Sequence, residues 1–146
     1  MKRFFITSAL IISLATSVMA NGNKVYGFTG ANAFSKAFPE ATNVTVKTVD
    51  QLTKISFTSG NQNMEVYYST EGEMVAQSRH IKLSELPAGS SETISKEYGG
   101  WTITEAIEFT DEADNSVHYY VGLGINNKSM ILEVNKNGEI STFKKK

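Results

Sequence analysis

His80 and His118 are the only histidines in the chain, and there is no cysteine. Any metal or acid–base chemistry would therefore have to be built around these two imidazoles. They lie on separate strand-like runs, and a shared metal would need carboxylates brought to them from elsewhere, which sequence spacing does not supply. The Gly-x-Ser-x-Gly elbow, the His-Glu-x-x-His helix and the phosphate-cradling glycine loop are all missing from the sequence. The expectation is a non-enzyme with no metal and no cofactor. Asp111-Glu112-Ala113-Asp114-Asn115 is rich in oxygen ligands but lacks the glycine and terminal bidentate glutamate of a calcium loop. It reads as a solvated hairpin tip. A hydrolase with an unfamiliar site would require His80 or His118 in a cleft beside a carboxylate and a hydroxyl.

The elements that position these residues are mostly strands. Ala31 to Phe38 carries Ala33, Phe34, Ala37 and Phe38 at helical spacing, with Thr29 as an N-cap and Pro39 as a stop. Four strand-like runs follow, Val44 to Val49, Leu52 to Ser59, Met64 to Ser69 and Met74 to Ile81, separated by short polar loops that imply antiparallel hairpins. Ser84 to Tyr98 reads as a second, weakly amphipathic helix with Pro87 in its first turn. Strand-like runs resume at Trp101 to Thr110, Val117 to Leu123, Ser129 to Val134 and Ile140 to Phe143. Helix then four strands thus occurs twice, over about residues 31–82 and 84–143. Phe38-Pro39 answers to Tyr98-Gly99 about sixty positions on, and Glu71-Gly72 to Asn137-Gly138. The fold class expected is α+β, two tandem copies of a helix plus antiparallel-strand unit sharing one core, with the helices on one sheet face.

Strand alternation then sorts the side chains. Met64, Val66 and Tyr68 form one face of their strand, and Glu65, Tyr67 and Ser69 the other. Val117, Tyr119, Val121 and Leu123 are likewise opposed to His118 and Tyr120, while Trp101, Ile103, Ile107 and Phe109 are read as pointing inward together. The helix-distant face would then be open and carry Tyr67, Tyr120, His118, Glu65, Glu108 and Glu133. That aromatic and charged mixture suits partner recognition.

The N-terminus has Lys2 and Arg3, an apolar run from Phe4 to Leu14, and Val18-Met19-Ala20 before a polar stretch. This is the pattern of a secretory signal peptide over residues 1–20, with the mature protein starting at about Asn21 and forming one domain over 21–146. The apolar run is too short and too interrupted by Thr7, Ser8 and Ser13 to be a membrane span. Losing Lys2 and Arg3 takes the 14 Lys and Arg to 12, against 15 Asp and Glu, a net of −3 that argues against a nucleic-acid partner. The expected location is periplasmic or secreted, and stability must come from apolar packing because no disulfide can form.

The order of Ala33-Phe34-Ser35-Lys36-Ala37-Phe38-Pro39-Glu40-Ala41, Met64-Glu65-Val66-Tyr67-Tyr68-Ser69-Thr70-Glu71-Gly72-Glu73, Glu85-Leu86-Pro87, Tyr98-Gly99-Gly100-Trp101, Tyr119-Tyr120-Val121 and Lys136-Asn137-Gly138 resembles the PepSY-like family of exported bacterial proteins. That family is related in architecture to the β-lactamase-inhibitor-protein fold. The resemblance implies helices on one face of an antiparallel sheet and no catalytic residues. The function expected is a non-catalytic exported binding or inhibitory module that presents its open sheet face to a protein or peptide partner. The alternative is a small-ligand carrier or sensor with its site between helices and sheet.

Overall fold

The computed structural model describes residues 27–145, so the expected signal peptide at residues 1–20 lies outside the described residues. The elements are α1 (Ala31–Ala37), β1 (Thr42–Val49), β2 (Leu52–Ser59), β3 (Gln62–Tyr68), β4 (Met74–His80), α2 (Ser90–Glu97), β5 (Thr102–Asp111), β6 (Ser116–Ile125), β7 (Lys128–Val134) and β8 (Ile140–Lys145). A short 3₁₀ turn, Leu83–Glu85, precedes α2. Short hairpins set the strand order. Asp50, Gly60 and Asn126 take positive φ at the first turn positions between β1 and β2, β2 and β3, and β6 and β7. Such residues tolerate that conformation, which matches the right-handed twist of paired strands.

All eight strands form one antiparallel sheet in sequence order, β1 to β8. This corrects the expectation of two tandem helix-plus-strand copies. β4 pairs continuously with β5, from Ala76↔Asp111 to His80↔Ile107, so the chain is a single sheet carrying two short helices of 7 and 8 residues. Two separate units would each expose an unpaired strand at the junction, and the β4–β5 pairing satisfies both rows of backbone groups. The second helix, read from Ser84 to Tyr98 with Gly89 as its weak point, is the shorter Ser90–Glu97. Pro87 and the left-handed Gly89 at φ 81° separate the 3₁₀ turn from α2, because neither residue sustains a helix interior.

Cross-strand rows run from Val66 through Gln77 and Thr110 to Val117, so side chains in register with them share a face. That face holds two apolar clusters, one under each helix. Phe34 of α1 packs with Ile55, Phe57, Val66 and Tyr68, and Ile94 of α2 packs with Val121, Leu123, Leu132 and Val134. Between them lies a polar seam in which Arg79 grips Glu108 with two hydrogen bonds, 2.8 and 3.0 Å, and reaches Glu85 at 3.1 Å. The hairpin turns β3–β4 and β7–β8 fix the helix starts. A Cβ on Gly72 would come within 2.9 Å of the Thr29 carbonyl carbon, and one on Gly138 within 3.2 Å of the Ala88 carbonyl oxygen.

The opposite face has its own core of Tyr67, Ala76, Ile107, Phe109, Tyr120 and Ile131, with Val49, Leu52, Val75 and Phe143 packed against it. The buried apolar residues of the two helices, Phe34 and Ile94, belong to the clusters of the other face. Contributions from β1 to β8 therefore cover this core, which requires the sheet to coil around it.

Candidate functional site

On this helix-free face two polar clusters grow out of the tyrosine core. The two-residue turn at Gly60-Asn61 sets the β2–β3 register so that Lys54 faces Tyr67 and Ser56 faces Glu65. The Lys54 ammonium, 4% exposed as a residue, meets Glu65 Oε1 at 2.7 Å and lies 5.9 Å from the centre of the Tyr67 ring. The Tyr67 hydroxyl donates to Glu65 Oε2 at 3.1 Å, and Ser56 Oγ donates to Oε1 at 3.2 Å. Three donors thus hold one carboxylate, and the buried amine is charge-compensated.

The second cluster lies across β6 and β7. Tyr120 is directly opposite Glu133, and the His118 imidazole, 6.4 Å from the Tyr120 ring and nearly parallel to it, is diagonal to that pair. His118 Nδ1 approaches Glu133 Oε1 at 2.8 Å, and the Tyr120 hydroxyl donates to the same oxygen at 3.5 Å. A carboxylate only accepts, so the proton shared in this contact sits on Nδ1. Near the first cluster, Glu105 Oε2 stands 4.0 Å from His80 Nε2. Burial pushes the Glu105 carboxyl above the usual carboxylate range, and nearby Glu65 adds to the rise against the opposing pull of His80 and Lys54.

The structure corrects the expected faces in three respects. Tyr67 and Tyr120 do lie away from the helices, but they are 1% and 7% exposed. They form the core of the face, and only their hydroxyls serve the site. Burial, reinforced by Glu65 and Glu133 respectively, pushes both phenols well above their ordinary range, so they remain proton donors at any physiological pH. Glu108 belongs to the helix-bearing face, paired with Arg79. Trp101, Ile103, Ile107 and Phe109 do not share a side. The register shifts between Ile103 and Glu105, and the extra residue, Thr104, reverses the alternation beyond it. Trp101 and Ile103 therefore pack in the Ile94 cluster, and Ile107 and Phe109 in the tyrosine core.

Glu65, His118 and Glu133 lie on the helix-free face, half-buried where an open face was expected. Lys54, Ser56 and Glu105 complete the site and were missed by alternation alone, and His80, singled out for its imidazole, stands beside Glu105. Counting outward from the Gly60-Asn61 turn would have placed Lys54 beside Tyr67. Glu105 is displaced by the bulge and had no comparable signal. Among the described residues, no group of three or more His, Asp or Glu side chains is placed to hold a metal ion. Tyr120 and His118 both meet Glu133, and among the described residues no hydroxyl is hydrogen-bonded to the His118 imidazole as a nucleophile to its base.

No protein-family model matches the chain, and no curated protein matches it in sequence. Solved structures do share its fold. A DUF2874 family protein from Bacteroides uniformis aligns with TM-score 0.69 and 17% identity over 80% of this chain and 86% of that one. A protein of Bacteroides eggerthii, provisionally described as periplasmic, aligns with TM-score 0.71 and 13% identity over 84% and 88%. A BLIP-like protein from Bacteroides fragilis aligns with TM-score 0.62 and 14% identity over 79% and 81%. The fold is thus BLIP-like. No helix among the described residues is long and apolar enough to cross a membrane.

Proposed function

We propose that the chain is an exported, non-catalytic binding module that recognises a protein or peptide partner through its helix-free sheet face. The carrying observation is that Glu65 and Glu133, each partly exposed, are held in place by donors from a buried tyrosine core. Acceptors fixed before binding lose little conformational entropy when a partner docks. The absence of a hydroxyl–imidazole pair within the His118 cluster favours binding over hydrolysis. The BLIP-like and periplasmic descriptions of two structural neighbours agree with export and with an inhibitor-like role. Membership of the PepSY-like family belongs to the same reading and rests on the motif order from Ala33 to Gly138.

Affinity capture from cell-envelope extract tests the proposal, with wild type compared against a Glu65→Gln, Glu133→Gln double variant. A partner retained by wild type and lost by the double variant is the expected result, with one cooperative melt in both and a lower midpoint in the variant because Lys54 loses its counter-charge. Equal capture by both would place recognition elsewhere. Exported protein beginning at or near Asn21 is expected by N-terminal analysis, and a retained Met1 would remove the export claim.

A further inference from the structure

The eight-stranded sheet is open, and among the described residues its edges are β1 and β8. An unpaired edge is a template for a further strand unless it is guarded by charge. β8 is guarded: Lys144 and Lys145 are both exposed and, being adjacent, project to opposite faces. β1 has a single lysine, Lys47, on the helix-free face opposite Lys54. On the helix-bearing face β1 presents Val44, Val46 and Thr48 with no charge, and Val46 is 40% exposed, one of two exposed large apolar residues among those described.

The β1–β2 turn decides which backbone groups of β1 are available. Val49 pairs with Leu52 across the two-residue turn Asp50-Gln51, and the pair closing such a turn is hydrogen-bonded. By antiparallel alternation Val49, Lys47 and Thr45 direct their N–H and C=O groups at β2, and Thr48, Val46 and Val44 direct theirs outward. The exposed apolar side chain and the free hydrogen-bonding groups therefore belong to the same residue, Val46.

We propose that a second copy of this chain adds to the edge, β1 against β1, antiparallel about a two-fold axis through Val46. In that register Val46 meets Val46, Val44 meets Thr48, and Lys47 meets Thr45, so each outward backbone group finds its counterpart and no lysine faces a lysine. A register centred on Lys47 would also keep the outward groups in phase, but it would set the two cations directly opposite each other. Asn43, with φ 52° beside the register shift in β1, ends the regular edge and, since it would face Val49 in this register, limits the pairing to Val44–Thr48. The result is one continuous sheet with the helices of both copies on the same side and the two candidate binding faces on the other. A contact of this length is smaller than the ~1,600 Å² of a standard stable interface, so association is weak and concentration-dependent.

Sedimentation of the mature full chain from about 1 μM to about 1 mM tests the pairing. The mass should rise from one chain towards two, and Val46→Lys should weaken association by about tenfold or more while leaving the melting temperature close to wild type. Because the chain has no cysteine, single cysteines report the register. Val46→Cys should form cross-linked dimers on mild oxidation, since directly opposed residues lie about 5.5 Å apart at Cα. Thr48→Cys, opposite Val44, should not. A one-chain mass throughout with no Val46→Cys cross-link overturns the proposal, as does preferential cross-linking through Lys47→Cys or through Ser141→Cys on β8.

Discussion

Tyr67, Ser90 and Glu105 show how side chains of similar polarity carry opposite energetic signs. Tyr67 is almost fully buried and its hydroxyl is bonded to Glu65. Tyr67→Phe should cost about 0.5–1.5 kcal/mol of unfolding free energy, whereas Tyr67→Ala should cost about 3–5 kcal/mol by opening the core. Near-equal losses in chemical denaturation would mean that the hydroxyl, not the ring, dominates. Ser90 is 1% exposed and its hydroxyl has no partner among the described residues. Ser90→Ala should therefore leave the melting temperature unchanged or raise it. Glu105 has a raised carboxyl because it is partly desolvated. The fold favours its protonated form, so its contribution to stability is full below the ordinary carboxylate range and is lost as pH rises through the raised value. Glu105→Gln mimics the protonated form and should be more stable than wild type at neutral pH, with the gain vanishing towards acid pH. A gain that persists or grows on acidification would contradict desolvation as the cause.

At the scale of elements, the two longest-reaching constraints are turns. Gly72 and Gly138 have φ 85° and 84°, and each sits against the backbone near the start of a helix. Alanine at Gly72 meets both left-handed strain and a 2.9 Å contact with backbone, so Gly72→Ala should cost well over ~1 kcal/mol. Gly60, also at positive φ, has open space where its Cβ would go. Gly60→Ala should be the milder change in a thermal melt, and the reverse order would show that the hairpin does not brace α1. Alternation made most strand faces legible, because Val66 and Tyr68, or Val121 and Leu123, repeat every second residue. It failed at Thr104, where one unpaired residue inverted everything beyond it, including Ile107, Glu108 and Phe109. Nothing in the composition of Thr102–Asp111 marks the bulge.

Across the whole molecule, the tyrosine core ties together residues from both halves of the chain. Tyr67 and Ala76 precede the Leu83–Glu85 turn, while Ile107, Phe109, Tyr120 and Ile131 follow it. Calorimetry should therefore show one cooperative transition, and a fragment ending at Lys82 should not fold alone, having lost the β4–β5 pairing and most of that core. Two resolved transitions, or a folded fragment with dispersed amide resonances, would show that the halves are independent after all.

The sequence by itself determined the strand positions, the hairpin connections, the helix under Phe34 and the absence of a familiar catalytic constellation, because these depend on neighbours within a few residues. It also placed Glu65, His118 and Glu133 on the face away from the helices. Only the tertiary structure decided that eight strands make one sheet and that Tyr67 and Tyr120 are core, not surface. The physical reason is that burial on a sheet face depends on curvature. Curvature is a collective outcome of twist, bulges and strand pairing between residues far apart in the chain, and alternation, which assigns a side, carries no information about whether that side is covered.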